Sequence, residues 1–155
     1  MKDEIEKYAD KFFAKIEKRI REKREEEEED KREIKRSEQF EKDFDKLVTV
    51  ILRPVMMKFL ELLKKKGIFV RINKNTRKFG QESYRIKLSP DKGEDDFLSY
   101  FIERDTEMRI ANFGYGYRNP SSGQYQLCAS KYKLQEITKD LVEKVIVEGL
   151  KEMSK

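Results

Sequence analysis

The sequence contains no histidine, and Cys128 is the single cysteine among its 155 residues. The absence of histidine excludes every catalytic triad, dyad and metal site that depends on an imidazole. A single cysteine excludes an internal disulfide framework and a thiolate zinc site within one chain. We therefore expect a reduced, cytoplasmic protein that is not an enzyme and that uses no metal and no cofactor.

Long apolar runs and nucleotide-binding motifs are also missing. No apolar stretch approaches the roughly 18 residues of a membrane helix, and the N-terminal residues MKDEIEKYAD lack the apolar core of a signal peptide. The sequence has no GK[ST] phosphate loop, and Asn119 stands where a GxGxxG loop beginning at Gly114 needs its third glycine. The acidic residues 94–96 are consecutive in a predicted loop, so their side chains diverge. We predict no membrane association and no catalytic site.

Charged residues outnumber apolar ones, at 43% against 37% of the chain. The first figure is high and the second low for a globular protein. This imbalance indicates an elongated, charge-covered part beside a compact part. We predict a charged helical arm at 1–36 and an α+β domain at 37–155.

The predicted arm carries one apolar stripe. Spacings of three, four, four and four residues place five side chains on one side of a helix: Ile5, Tyr8, Phe12, Ile16 and Ile20. Residues 21–33 then contain no apolar residue, with five basic and eight acidic side chains. This second stretch cannot bury a core face, and it is consistent with either a solvated helix or a frayed linker.

A second helix is predicted at 38–66, with Ser37 as its N-cap and Gly67 after its last turn. Pro54 lies inside this segment, where it removes one hydrogen bond and clashes with the preceding turn. Because the apolar pattern continues across the proline, we predict one kinked helix. The predicted stripe consists of Phe40, Phe44, Leu47, Val48, Ile51, Val55, Phe59 and Leu62.

Beyond Gly67 the apolar period changes from helical to alternating. Short strands separated by turn residues predict an antiparallel meander of four to five strands; the segments are 68–72, 84–88, 97–103, 107–117 and 125–133. Thr138 is a predicted N-cap for a C-terminal helix. The predicted fold class is therefore α+β, with the meander packed by the long kinked helix and the C-terminal helix.

The predicted domain resembles a set of uncharacterised prokaryotic proteins. The resemblance is carried by RPVM at 53–56, by the meander, and by YKLQEITKDLVE at 132–143. These motifs consist of packing and capping positions, so the resemblance implies a fold and no particular activity.

The stretch NFGYGYR, at 112–118, places Phe113, Tyr115 and Tyr117 on one face of a strand. Apolar residues occupy both faces of the strands at 97–103 and 107–117, which indicates that something covers each face. We expect the arm or a second subunit to cover these rings. This favours a non-catalytic, self-associating protein-interaction module, whose candidate face comprises Ile5, Tyr8, Phe12, Ile16, Phe113, Tyr115 and Tyr117.

An alternative function rests on the basic segment 64–87. It contains nine basic residues and one acidic residue, and a basic patch with an aromatic among it is typical of nucleic-acid binding. If the two strands pair as a hairpin, Phe69 shares one face with Arg71, Arg85 and Lys87. The candidate contacts are Lys64, Lys65, Lys66, Arg71, Lys74, Arg77, Lys78, Arg85 and Lys87.

Overall fold

A computed structural model describes residues 1–76, 82–89, 97–119 and 121–155, with the side chains of 74–76 and 82 excepted. The described elements are three α-helices and five β-strands. The chain divides into two compact units, Met1–Gln39 and Phe40–Lys155. The acidic residues 94–96 lie outside the described residues, as do residues 77–81 and 90–93 between the predicted strands.

The first helix, α1, is Lys2–Leu47 and is longer than the predicted arm. The prediction that Ser37 caps a new helix is wrong, because the helical backbone continues through this residue. Residues 21–36 are rich in glutamate, lysine and arginine, which have high helix propensity. Neighbouring turns also pair their charges; Arg32, for example, lies 3.8 Å from Glu28 and 3.4 Å from Glu29.

Pro54 is accommodated by a π-helical turn at Val48–Leu52, after which α2 (Arg53–Lys65) begins. The wider turn leaves Pro54 at the start of α2, where its missing N–H costs little. The helix therefore continues past Pro54, as predicted. The π-helical turn also shifts the apolar stripe, because it adds one residue to a turn.

From the last residue of the π-helical turn onwards, the buried positions lie one residue beyond those predicted. They are Leu52, Met56, Leu60 and Leu63, whereas Leu62 is exposed and Ile51, Val55 and Phe59 are half-buried. The shift brings the thioether of Met56 and two leucines of α2 into the core.

The sheet is a five-stranded antiparallel meander in the order β1-β2-β3-β4-β5. The strand bounds are β1 Phe69–Thr76, β2 Glu82–Ser89, β3 Leu98–Asp105, β4 Ile110–Arg118 and β5 Tyr125–Tyr132. β4 begins three residues later than the predicted start at 107, because Met108 N donates a 3.0 Å hydrogen bond to Asp105 Oδ1 within a turn. Arg109 closes that turn with a φ of 53°.

The C-terminal helix α3, Lys139–Met153, packs on one face of the sheet. Thr138 caps it as predicted, since Thr138 Oγ1 accepts a 3.3 Å hydrogen bond from Leu141 N. Tyr100 of β3 donates a 2.7 Å hydrogen bond from its hydroxyl to the Ile146 carbonyl. Gly149 allows this approach, because a Cβ there would lie 2.7 Å from the tyrosine hydroxyl. The α+β prediction is confirmed.

Candidate interaction surfaces

The three rings of NFGYGYR lie on the helix-covered face of β4. Phe113 and Tyr115 are buried and belong to the core cluster with Val145 and Ile146 of α3. Tyr117, at the end of the strand, is half-buried. The expectation that the arm or a second subunit supplies the cover is wrong for the two buried rings, because α3 covers them. Phe113 and Tyr115 therefore build the core of the unit Phe40–Lys155, which we call the body, and they do not form an open interaction face.

Burial also affects the titration of the tyrosines under α3. Desolvation raises the pKa of Tyr100 well above its ordinary value, and the neighbouring Tyr115 hydroxyl adds to the shift. Desolvation likewise raises the pKa of Tyr115, to which a hydrogen bond with Cys128 contributes. Both hydroxyls therefore keep their protons to a higher pH than an exposed tyrosine does.

The glycines of NFGYGYR make room for β5 on the opposite face of the sheet. A Cβ on Gly114 would lie 2.2 Å from the Cys128 carbonyl oxygen and 2.5 Å from Ala129 Cα. A Cβ on Gly116 would lie 2.2 Å from the hydroxyl oxygen of Tyr125. The β5 backbone and the Tyr125 ring therefore occupy the space that side chains at these two positions would need.

This second face contains a small network that the sequence analysis missed. Tyr125 crosses Gly116 and its hydroxyl makes a short hydrogen bond with Ser99, which is buried. The Arg85 guanidinium lies 5.4 Å from the centroid of the Phe101 ring, which is also buried. The available signal was the two-sided apolar pattern of 97–103, which indicated cover on both faces without naming the covering groups.

The apolar stripe of the arm is exposed to solvent. Ile5, Tyr8 and Phe12 are 63%, 65% and 62% exposed, and Ile16 is half-buried. Phe13, which the predicted stripe omits, is equally exposed and contacts Phe12 edge-on, with ring centroids 6.3 Å apart. The structure thus brings four predicted residues together on one helix and adds a third aromatic ring to them.

The predicted basic face is formed by the β1–β2 pairing. Arg71 lies directly opposite Lys87, Asn73 opposite Arg85, and Phe69 opposite Ser89. Because directly opposite residues of a sheet share a face, the two arginines, the lysine and Phe69 lie on one side, as predicted. Arg71 is exposed, whereas Arg85 and Lys87 are half-buried.

The remaining basic candidates are divided between two regions. Lys64 and Lys65 end α2, Lys66 follows it, and all three are exposed. Lys74 belongs to β1 by its backbone, but its side chain lies outside the described residues, as do Arg77 and Lys78 entirely. The basic face as described therefore rests on Arg71, Arg85 and Lys87.

No group of three or more metal-ligating side chains occurs among the described residues. None of the helices in the described part of the chain is long and apolar enough to cross a membrane. Comparisons with known protein families, with curated proteins and with solved structures found no match to this chain. The resemblance to prokaryotic proteins therefore stays a prediction.

Proposed function

We propose that this chain is a non-catalytic protein-interaction module that self-associates through the apolar stripe of its N-terminal helix. The observation that carries the proposal is the exposure of Ile5, Tyr8 and Phe12 on one side of α1. Isolated exposed apolar residues are common on proteins, but a contiguous apolar stripe marks an interaction site. A second copy of the chain supplies a matching stripe.

The free energy gained by burying the stripe is large enough to offset the cost of association. Fully burying one large apolar side chain contributes roughly 1.5–3 kcal/mol. Four such side chains from each of two helices would together offset the roughly 4–15 kcal/mol lost to restricted motion on association. The charged stretch that follows, 21–33, contains no apolar residue, so the interface is confined to the first five turns or so.

The spacing of the stripe also predicts how two such helices would coil around each other. Ile5 and Ile16 are eleven residues apart, as are Ala9 and Ile20. An eleven-residue period corresponds to about 3.67 residues per turn, so partner helices would pack with little supercoiling or a slight right-handed one. A strict heptad interface is not expected.

A pair of charge-matched variants tests this proposal. Phe12→Glu places a carboxylate in the stripe and should reduce the associated mass of the full chain, as measured by light scattering. Ala14→Glu adds the same charge on the opposite side of the helix, at about 100° per residue, and should leave the mass unchanged. Equal masses for Phe12→Glu and the wild type would contradict the arm interface.

A second candidate function is the binding of nucleic acid by the basic face of β1 and β2. The specific observation in its favour is the register that places Arg71 opposite Lys87 and beside Arg85 on the side that carries Phe69. Phosphate contacts by these cations would make the affinity fall with salt, with a log–log slope of about −0.9 per phosphate on duplex DNA.

Replacing Arg71, Arg85 and Lys87 together by glutamate should weaken binding to all sequences alike and flatten the salt dependence. A matched control replaces three exposed lysines of α3, namely Lys139, Lys144 and Lys151, by glutamate. Absence of binding to a mixed nucleic-acid pool at low salt, or an equal loss in both triple variants, would contradict this candidate function.

A further inference from the structure

β5 forms one edge of the described sheet and pairs with β4 alone. Every residue from Tyr125 to Lys131 is exposed, including Leu127, which retains 62% of its exposure. Edge strands are usually protected by charges, prolines, bulges or a covering element. β5 has one charged residue, Lys131, no proline, and an uninterrupted register with β4. This edge is therefore suited to pairing with another strand.

The backbone groups that point outward from β5 can be assigned from the hairpin that precedes it. Asn119 N donates a 2.8 Å hydrogen bond to the Gln124 carbonyl, so these two residues form a hydrogen-bonded pair of the β4–β5 ladder. Such pairs recur at every second residue, so the even-numbered residues of β5 direct their N–H and C=O groups towards β4. The outward-directed groups belong to Tyr125, Leu127, Ala129 and Lys131.

The edge is also held in a fixed position. The β5 backbone lies against Gly114, where a Cβ would be 2.5 Å from Ala129 Cα. At its start the strand is tied to β3 by the hydrogen bond between Tyr125 and Ser99. A strand ordered in advance loses less conformational freedom when it binds a partner strand.

We propose that β5 pairs antiparallel with β5 of a second copy, with a two-fold axis at Cys128, so that the two sheets join into one. This inference rests on the self-association proposed above and adds a second surface for it, on the body rather than on the arm. The paired edge strands would be isologous, since the same residues serve both copies.

Self-complementarity favours a second copy over an unrelated strand. Facing residues of an antiparallel pair share one side of the sheet, so only registers that match residues of the same parity are allowed. With the axis at Cys128, Leu127 faces Ala129 of the second copy and Lys131 faces Tyr125 of the second copy. No lysine opposes a lysine. Moving the axis to Ala129 would instead set Lys131 against Leu127.

Cys128 provides a direct test in the full-length protein. Because it is the single cysteine, any disulfide-linked dimer must join Cys128 to its counterpart. The two residues would form a non-hydrogen-bonded pair with Cα atoms about 4.5 Å apart, which lies within disulfide geometry. Mild oxidation with copper–phenanthroline should therefore yield a linked dimer on a non-reducing gel, and absence of the dimer would overturn the proposal.

Two substitutions at Leu127 distinguish a disulfide formed through strand pairing from one formed by random collision of two chains. Leu127→Pro removes an outward N–H without touching the β4–β5 bonds, and it should lower the dimer yield at least tenfold. Leu127→Thr keeps that N–H and should retain the yield within about twofold. Equal yields for the two variants, each with wild-type circular dichroism, would overturn the proposal.

A second experiment leaves the backbone unchanged and tests the register. In a Cys128→Ser background, Gln126→Cys and Ser130→Cys chains should form a disulfide when mixed, because these positions face each other. Either chain alone would hold its thiols roughly 14 Å apart along the strands and should not link. Linking of either chain alone as efficiently as the mixture would contradict the axis at Cys128.

The two self-association proposals fail in different ways. If the arm interface is wrong, Phe12→Glu leaves the mass unchanged while the Cys128 disulfide still forms. If the β5 pairing is wrong, the disulfide is absent although Phe12→Glu lowers the mass.

Discussion

Alanine substitutions at Gly114 and Gly116 test how tightly β5 lies against β4. At Gly114 the added Cβ would be 2.2 Å from the backbone oxygen of Cys128, whereas ordinary contact begins at 3.4 Å. The strand would have to move by about 1 Å, so we expect a cost near the upper end of the roughly 1–3 kcal/mol typical of overpacking. Reduced freedom of the unfolded chain would offset only about 0.4–1 kcal/mol of this.

Gly116→Ala is the matched control, because its nearest obstacle is the end of the Tyr125 side chain rather than backbone. That ring can rotate away, at the loss of its hydrogen bond with Ser99, which costs about 1 kcal/mol. Urea denaturation followed by far-ultraviolet circular dichroism would compare the free energies of unfolding. A Gly114→Ala protein as stable as Gly116→Ala would refute the close approach of β5.

Two further predictions concern the tyrosines beneath α3. Tyr115→Ala removes a buried ring and should lower the free energy of unfolding by roughly 3–5 kcal/mol, by analogy with Phe→Ala in cores; denaturation within error of the wild type would contradict its burial. The raised pKa of Tyr100 means that the native state keeps its proton when the unfolded state has lost it. The contribution of Tyr100 to the free energy of unfolding is therefore complete below a pH of about 10 and falls by about 1.4 kcal/mol per pH unit above it. Tyr100→Phe should remove this part of the decrease in the free energy of unfolding with alkaline pH. An unchanged pH dependence in Tyr100→Phe would contradict the raised pKa of Tyr100.

Local patterns were sufficient to predict most of the elements. Alternation of apolar residues identified the strands, and Thr138 marked the start of α3, because both signals are contained within a few neighbouring residues. The shared face of Arg71, Arg85 and Lys87 followed from the same alternation once the two strands form a hairpin. These features depend little on the rest of the chain.

The π-helical turn and its consequence could not be read from the sequence. Pro54 shows that a regular helix is costly at that point, but several backbone arrangements relieve the cost. The π-helical turn moves the buried stripe to Leu52, Met56 and Leu60. Which backbone arrangement forms depends on how the helix packs against the sheet. Ser37 was misread for a related reason, since a residue suited to capping remains helical when both flanks favour a helix.

The groups that cover the two faces of β4 also could not be predicted from neighbouring residues in the sequence. The sequence indicated that Phe113 and Tyr115 were buried, but not that α3 would cover them. On the other face Tyr125 lies against Gly116, and this contact follows from the long-range register of β5. Contacts of this kind are set by the assembled sheet rather than by neighbouring residues.

Sedimentation velocity of the full chain over a range of concentrations tests self-association most directly. The chain mass is 18.7 kDa. The exposed stripe of α1 predicts species at multiples of that mass, with populations that increase with concentration and are reduced by Phe12→Glu but not by Ala14→Glu. A single species of 18.7 kDa at all concentrations would contradict the account.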